Sequence, residues 1–585
     1  MQRARFAALA AAFSVMLSAC GSDTTTSPSG GTNNPPPPPA SVATVDLTPL
    51  TAEVIVGKTT KLSATPKDAN GTALGGRSVT WSSSSNTIAT VDANGTVTGV
   101  AAGTATISAA SEGKTATANI TVKLDVPAIP VASVSVAAAP DTLEAWDPST
   151  MVATLRDANS NILTNRVVRW SVSNPAVAVI DSVTGVLTGI DRGAVSVTAT
   201  SEGKVGSTSR VIVIKYRSIS AGSMHVCDIA SGGIAWCWGL NGAEGRIGSE
   251  QLGSSSMSAV PVRVPGNQKL AQLATFGRHT CALTTEGKAY CWGYNGWGAL
   301  GANSNLSQSP TPVAVASNLT FRSITAGSDH ACAVTFDNVA YCWGNNDWRQ
   351  LGTGTAAQSA PVQVSNSIAF ASVTAGASFT CGVATTGSTY CWGANSIGQT
   401  GDGKTINYGN VFVSAPQAVV GGQTFKAVSL GSQYACGVTL GGQAYCWGSN
   451  NSKLGAGATN DSSTPVAVSG GLNFRSISTG YGHACGVTTA DAIYCWGANG
   501  NGQLGAAVQN GSNVPVRAAG SLLAAEVAAA GIGTGSAAHT CMISKDRLTV
   551  YCFGRDDVGQ LGNGSTTAAS ASNPTPAIVV GQKPL

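Results

Sequence analysis

Two patterns of hydrophobic and polar positions follow one another along the chain. Between residues 41 and 215, short runs rich in valine, threonine, serine and alanine alternate between apolar and polar positions. Asn-Gly and Gly-Gly pairs, which favour turns, separate these runs. From residue 216 onward, apolar runs containing cysteine and tryptophan recur in a fixed unit. Alternation with a period of two and regular turn signals predict β-strands, so we expect an all-β chain.

The first region contains one unit twice. Residues 79–83, around Trp81, match residues 168–172, around Trp170, and residues 111–114 match residues 201–204. Both copies resemble the bacterial Ig-like group-2 domain, the first closely and the second more loosely, which implies a small β-sandwich in each. We therefore expect domains at 41–124 and 125–215, in a family common in surface proteins and adhesins.

Each Ig-like copy carries an acidic turn, at Asp68 and at Asp157. Asp and Asn belong in turns because their side chains bond their own backbone. No glutamate follows at the spacing of a calcium loop, so we interpret both segments as turns. Calcium binding is the alternative.

Seven copies of a second unit occupy residues 216–585. Each has two cysteines, and the second is followed by Trp-Gly, or by Phe-Gly in the last copy. The string of Gly, His, Trp-Gly-x-Asn and Gly-Gln-Leu-Gly resembles the regulator of chromosome condensation repeat, over all of residues 216–582. Many members of that family lack the cysteines. The resemblance implies a seven-bladed β-propeller, so the expected architecture is two Ig-like β-sandwiches followed by a seven-bladed β-propeller.

The cysteine spacing fits strand pairing. With a hairpin turn centred on Gly232, Cys227 lies opposite Cys237, and such partners have Cα atoms about 4.5–5.5 Å apart, within disulfide range. Six copies share this spacing, whereas the seventh has one extra residue, which predicts a different turn or a bulge. A metal site is disfavoured because Cys-x-x-Cys ligand pairs are absent. The expected disulfides are Cys227–Cys237, Cys281–Cys291, Cys332–Cys342, Cys381–Cys391, Cys436–Cys446, Cys485–Cys495 and Cys541–Cys552.

All the histidines share one slot of the repeat, which Phe379 and Tyr434 fill in the two remaining copies. We interpret the slot as a packing position in which a ring lies over a strand glycine, as His225 over Gly239. The tryptophans after the second cysteines are expected to pack between blades. The sequence shows no nucleophile elbow, His/Glu metal motif or glycine-rich phosphate loop. We therefore predict no catalytic residue, no metal site and no cofactor, and a protein that is not an enzyme.

The N-terminus has the pattern of an export signal. Arg3 and Arg5 precede an apolar run that ends at Cys20, and residues 21–40 are rich in proline, serine and threonine. Residues 1–20 resemble a bacterial lipoprotein signal, which implies lipidation of Cys20, a tether over 21–40, and a place at the outer membrane or cell surface. We expect the lipid to be the only membrane attachment.

The composition of the chain limits the class of partner that it can bind. The formal net charge is only +4 and charged residues make up 10% of the chain, so no global field attracts nucleic acid. The odd number of cysteines, 15, divides into seven pairs and Cys20.

One loop position, two residues after the Trp-Gly-x-Asn motif, is occupied by large apolar side chains in the second to fourth copies. Large side chains in turns dominate binding hot spots, so we expect a partner surface here. Its candidate residues are Tyr294, Asn295, Trp297, Asn346, Trp348, Arg349 and Ile397. The alternative is that these side chains fold back onto their own blades.

The sequence therefore favours a lipid-anchored binding or adhesion protein, monomeric, whose propeller takes a protein or glycan at the cell surface. A second hypothesis is inhibition or regulation of a secreted or periplasmic enzyme, because some exported propellers of this type resemble such inhibitors. Guanine-nucleotide exchange, which the name of the repeat implies, ranks third, since export and disulfides argue against it.

Overall fold

A computed structural model of the chain describes residues 40–124, 129–137, 141–249, 257–364, 367–404, 406–409, 411–531, 538–567 and 572–581. Cys20, the signal segment and nearly all of the tether lie outside these residues. The secondary structure is almost entirely β, with single 3-10 turns at Ser231–Gly233 and Gly296–Gly298. Among the described residues no helix is long and apolar enough to cross a membrane. The chain divides into two compact units between residues 129 and 130.

The first unit is an Ig-like β-sandwich. Its strands are β1 (Thr44–Thr48), β2 (Thr51–Ile55), β3 (Thr59–Lys61), β4 (Ser63–Lys67), β5 (Thr80–Ser83), β6 (Ala89–Val91), β7 (Thr96–Gly99), β8 (Gly103–Ser111) and β9 (Lys114–Lys123). They pair as β2-β9-β8-β5, β3-β7-β6 and β1-β4. Alternate residues of β8 and β9, such as Ile107 and Ile120, are fully buried. This alternation is what the sequence pattern predicts for sheets that face a core on one side.

The second unit begins with another sandwich. Its strands are β10 (Ser133–Val136), β11 (Thr142–Glu144), β12 (Ser149–Thr150), β13 (Ala153–Arg156), β14 (Arg169–Val172), β15 (Ala178–Ile180), β16 (Val186–Gly189), β17 (Gly193–Ser201) and β18 (Lys204–Val213). They pair as β11-β18-β17-β14, β12-β16-β15 and β10-β13, the same order as in the first sandwich. The sequence repeat is therefore a repeat of the fold.

Both acidic turns use their carboxylates on their own backbone. Asp68 Oδ1 accepts hydrogen bonds from the amides of Asn70 and Thr72, each at 2.9 Å. Asp157 Oδ1 accepts from Asn159 at 2.8 Å and from Asn161 at 2.9 Å. These are the contacts of Asx-turns, in agreement with the interpretation of both segments as turns.

Four-stranded antiparallel sheets, the blades, form the remainder of the second unit. Their strands are β19 (Tyr216–Ala221), β20 (His225–Ala230), β21 (Ile234–Leu240) and β22 (Met257–Arg263) in blade one; β23 (Leu270–Thr275), β24 (His279–Thr284), β25 (Ala289–Tyr294) and β26 (Gln308–Ala314) in blade two; β27 (Phe321–Ala326), β28 (His330–Thr335), β29 (Ala340–Gly344) and β30 (Gln358–Gln363) in blade three; β31 (Phe370–Ala375), β32 (Phe379–Ala384), β33 (Thr389–Ala394) and β34 (Phe412–Ala418) in blade four; β35 (Phe425–Leu430), β36 (Tyr434–Thr439), β37 (Ala444–Gly448) and β38 (Ser462–Ala467) in blade five; β39 (Phe474–Thr479), β40 (His483–Thr488), β41 (Ile493–Ala498) and β42 (Gly511–Arg517) in blade six; and β43 (Ala524–Ala530), β44 (His539–Ser544), β45 (Val550–Gly554) and β46 (Ala577–Ile578) in blade seven.

The blades surround a central channel lined by the first strand of each blade. Because the strands of a blade alternate in direction, two sets of connections lie on opposite faces. The loop face carries the connections between first and second strands and between third and fourth strands. The turn face carries the second-to-third turns and the links between blades. The ring closes by packing between blades seven and one, where Trp238 Nε1 donates to the carbonyl oxygen of Gln560 at 3.0 Å.

The expected cysteine pairs all form disulfides between the second and third strands of their blades. Their Cα atoms are 4.0–4.1 Å apart, slightly closer than the expected range. In blade seven, strand pairing continues without a shift from Cys541–Cys552 to Ile543–Val550. The extra residue therefore lies in the turn, where Arg547 has a φ of +63°, and not in a bulge.

Candidate functional site

The histidine slot joins neighbouring blades. Nε2 of His330 lies 2.9 Å from Oγ1 of Thr380 in the next blade, and His225 and His483 make the same contact at 2.9 and 2.8 Å. Thr380 Oγ1 in turn donates to the carbonyl oxygen of Gln350. Since the threonine proton is used in that bond, the histidine donates from Nε2. Phe379, which cannot donate, precedes a blade that has Ala435 in place of the threonine.

Burial keeps these rings uncharged. It lowers the pKa of His330 and His483 to about 3 and that of His279 to about 4. An imidazole with such a pKa stays neutral across physiological pH and does not serve as a proton shuttle there. The histidines are therefore packing residues, of which His225, His330 and His483 also bridge neighbouring blades.

The predicted stacking of each ring on its strand glycine is wrong. His225 does pair with Gly239 in register, but Gly239 is needed for another reason. Its φ is +95°, and a Cβ there would lie 2.9 Å from Cα of His225 and collide with the carbonyl oxygen of Met224. The ring instead covers Gly222 in the preceding turn, where a Cβ would lie 2.5 Å from His225 Cε1.

The tryptophans after the second cysteines pack between blades, as expected. Trp343 and Trp392 are fully buried, and each indole donates to a loop carbonyl of the preceding blade, at 3.0 Å to Ala299 and 2.9 Å to Gln350. Their position is occupied by Phe553 in blade seven, which packs in the same way without a donor.

Two of the predicted contact residues belong to the loop scaffold. Asn295 is buried; its Oδ1 accepts from the amide of Leu300 at 2.9 Å and its Nδ2 donates to the carbonyl oxygen of Leu306 at 2.6 Å. Asn346 is likewise buried and bonds the amide of Leu351 and the carbonyl of Thr355. We therefore remove both from the candidate surface. Their recurrence at the same position in the first six copies was the signal of a structural role.

Trp297 points outward. It is 56% exposed and has a φ of +62°, a left-handed conformation that large side chains rarely adopt. Tyr294, three residues earlier, is half-buried, and the guanidinium of Arg278 lies 4.1 Å from the centre of its ring. Arg278 comes from the turn between β23 and β24. Sequence reasoning missed it because it lies 19 residues from Trp297 and belongs to no motif.

Trp348, Arg349 and Ile397 are half-buried on the same face. Arg349 has a φ of +64° at a position that glycine holds in other blades, as Gly398 does in blade four. Its guanidinium lies 5.6 Å from the ring centre of Phe412, the first residue of β34, which is 42% exposed. Trp348 and Ile397 are neither fully exposed, as a partner surface requires, nor fully folded back onto their own blades.

We call the set Arg278, Tyr294, Trp297, Trp348, Arg349, Ile397 and Phe412 the loop-face patch. Charge lies beside it: Glu244 is within 3.4 Å of Arg246 and 3.5 Å of Arg278. Tyr408, 75% exposed in the loop before Phe412, donates its hydroxyl to Asp461 at 3.2 Å. The patch combines exposed rings with guanidinium groups on a rigid ring of sheets, the composition of protein-binding surfaces.

Comparison with known families agrees with the fold. Residues 188–485 match the family described as "RCC1-like domain", and residues 474–503 match the "Regulator of chromosome condensation (RCC1) repeat". Residues 41–122 match the "Bacterial Ig-like domain (group 2)".

Individual relatives match over shorter stretches. The ultraviolet-B receptor UVR8 of Arabidopsis thaliana is 31% identical over 145 residues, which are 24% of this chain and 32% of the receptor. The human regulator of chromosome condensation is 30% identical over 134 residues, 23% of this chain and 31% of that protein. The matched stretch thus spans about a third of the length of these curated relatives. The crystal structure of human WBSCR16 superposes with a TM-score of 0.52 at 16% identity, over 59% of this chain and 94% of that chain, a likeness of fold.

Proposed function

The chain belongs to the RCC1-like domain family, and from this premise we propose that it is a non-enzymatic binding protein whose propeller takes a protein partner on its loop face. The observation that carries the proposal is Trp297: more than half exposed, in a left-handed conformation, on a rigid blade. Strained backbone conformations cluster at functional sites. An exposed tryptophan in such a conformation therefore favours a role in binding another molecule.

The second Ig-like domain supports the choice of face. Glu144 of that domain lies 3.2 Å from Lys215 and 3.1 Å from Arg217. It also accepts a hydrogen bond from Ser231, in the turn between β20 and β21 of blade one, which lies on the turn face. Trp146 packs on Trp236 with ring centres 6.3 Å apart. Because this domain occupies the turn face of blade one, the loop face is the side it leaves open.

The chemistry of the patch favours a protein over a glycan. Arginine and aromatic residues are enriched at protein–protein interfaces, and here both occur as stacked pairs, Arg278 on Tyr294 and Arg349 on Phe412. Stacking holds each guanidinium in place. Arg278 also pairs with Glu244 and Arg349 donates to the carbonyl oxygen of Thr355, so each offers its remaining N–H donors to a carboxylate. We expect a partner whose contact surface presents acidic side chains and a pocket for an indole.

Anchoring is part of the same proposal. Lipidated Cys20 and the proline-rich tether hold the Ig-like domains and the propeller at the outer membrane or cell surface. The measurement is mass spectrometry of the N-terminal peptide from native membranes, where a diacylated Cys20 is expected. An unmodified Cys20 in the mature chain would refute the anchor and leave the binding proposal standing.

The binding proposal is tested by identifying a partner and then measuring its affinity. Full-length protein captures proteins from envelope and extracellular fractions, and the purified candidate is titrated against wild type, W297A and R349G. The control is S452A, which alters the residue two positions after the loop asparagine of blade five, as Trp297 is in blade two. We expect binding at least tenfold weaker in W297A and R349G and unchanged in S452A. Equal affinity in all four proteins would overturn the loop-face proposal. Loss of a captured enzyme's activity on binding would identify the propeller as an inhibitor.

A further inference from the structure

A cavity of about 200 Å³ lies on the turn face where the second Ig-like domain meets blades one and two. Trp146 of the Ig-like domain lines it, as do Tyr290 and Trp292 of blade two and Pro265 and Leu270. All of these residues belong to the second compact unit. The cavity is on the face opposite the loop-face patch and is independent of it.

Arg263, the last residue of β22, also lines this cavity. Its Nε is shielded from water and meets no acceptor in the described part of the chain, where the guanidinium also forms no ion pair. Lys269, exposed on the rim, is a second cation that forms no ion pair among the described residues. The shielded Nε is unfavourable, because its lost hydration is not replaced by an acceptor.

Blade six shows how the same position is normally satisfied. Arg517 is the last residue of β42 and pairs with Tyr494, as Arg263 pairs with Trp236. Arg517 Nε donates to the carbonyl oxygen of Gly520 at 3.0 Å, and its terminal nitrogen donates to that of Leu522 at 3.3 Å. Among the described residues no carbonyl accepts from Arg263 in this way, and Arg263 lines the cavity together with Trp146 of the second Ig-like domain.

Trp146 is held at the cavity by strain and packing. Its φ is +61°, and its Cβ lies against Gly232, where an added Cβ would approach to 2.7 Å. Its indole packs on Trp236. Trp146 is therefore a firmly held aromatic part of the lining, which it shares with Arg263, Asn267 and Gln268.

We propose that this cavity binds one carboxylate-bearing sugar ring. The carboxylate takes the donors of Arg263, with Lys269 nearby, the ring lies against Trp146 and Tyr290, and the two amides bond its hydroxyl groups. The cavity is smaller than the roughly 300–1,000 Å³ of drug-sized ligand sites, so it holds a single ring and not an extended peptide. Guanidinium groups bind carboxylates with two parallel hydrogen bonds, which gives the site its preference for an acidic sugar.

The test is calorimetric titration of the full-length protein with D-glucuronate, D-glucose, acetate and N-acetyl-aspartate. We expect glucuronate to bind with a Kd of about 1 mM or tighter and each of the others at least tenfold more weakly. No binding of glucuronate at about 10 mM, or equal binding of glucose, would overturn the acidic-sugar site. Equal binding of N-acetyl-aspartate would overturn the sugar and assign the site to acidic peptides.

The variants R263M and R517M separate binding from folding. Methionine keeps the apolar stem of arginine and removes its charge. Because Arg263 has no partner in the described chain, R263M should leave the melting temperature unchanged or higher while weakening glucuronate binding at least tenfold. R517M should lower the melting temperature and leave glucuronate binding unchanged. Equal glucuronate affinity in R263M and wild type would refute the role of Arg263.

Discussion

Asp556 stands where the first six blades have the loop asparagine, and this single exchange predicts a pH-dependent weakness in blade seven. Its side chain is buried, and Oδ1 accepts from the amide of Leu561 at 3.0 Å, as Asn499 Oδ1 accepts from Leu504 at 2.9 Å in blade six. Burial raises the pKa of Asp556 to about 6, although the bond from Leu561 opposes the shift. The substitution D556N places the amide of the other blades in this loop.

The magnitude follows from linkage. The pKa of Asp556 rises from an ordinary value of 3.8 to about 6 in the folded protein, so the folded state binds more protons between these two values. Stability therefore falls as the pH rises from about 4 to about 6 and stays at its lower level above that range. Two pKa units correspond to about 2.7 kcal/mol, and solvent near the propeller face screens part of this. We expect D556N to stabilise the loop by about 1–2 kcal/mol at pH 7 and by close to zero at pH 4.

Native-state hydrogen exchange at the amide of Leu561 measures this locally, which matters because unfolding of a multidomain, disulfide-bonded chain is not two-state. N499D in blade six is the reverse control and should lower protection of the Leu504 amide at pH 7 but not at pH 4. If D556N changes protection equally at pH 4 and pH 7, ionisation of Asp556 is not the cause and the reasoning fails.

Three further predictions concern the blades. Replacing Cys541 and Cys552 together by serine should destabilise blade seven by about 2.5–3 kcal/mol, because a closed loop of this length constrains the unfolded chain. Native-state hydrogen exchange of the β44 amides measures this, and unchanged protection contradicts it. H330F should lower the free energy of unfolding by about 1 kcal/mol, because the bond to Thr380 is lost. The double variant H330F/T380A should recover part of this, since it recreates the pair formed by Phe379 and Ala435. Thermal melts in which the double variant is the less stable one would contradict this interpretation. R349G should change the free energy of unfolding by less than about 1 kcal/mol. Relief of the left-handed backbone strain at this position offsets the lost stacking and the greater conformational freedom of the unfolded chain. A larger fall in the melting temperature would show that Arg349 acts mainly in folding.

Repetition explains why so much of the fold was predictable. In a unit repeated seven times with the same spacing, residues that face each other across two strands recur together. The cysteine pairs are such residues, and their spacing defines the strand register. The histidine slot was recognised as structural for the same reason, because Phe379 and Tyr434 share it. What the slot contacts was not predictable, since its partner, such as Thr380, lies in the next blade.

The candidate surface was predicted only in part. Asn295 and Asn346 recur at one loop position of the repeat, which signals a structural role, and the structure shows that role in their bonds to Leu300 and Leu351. Arg278 and Phe412 were missed because they reach the patch from other strands.

The sequence by itself determined the all-β architecture, the strand register and the cysteine pairing, because these depend on alternation and spacing within a single repeat. Only the tertiary structure decided that the second Ig-like domain packs on the turn face of blade one. It also decided that Arg263 faces a cavity while Arg517 is satisfied by its own loop. These outcomes depend on contacts between blades and between domains. There, residues distant in the chain bury polar groups, and they either provide the hydrogen-bond partners that replace water or do not.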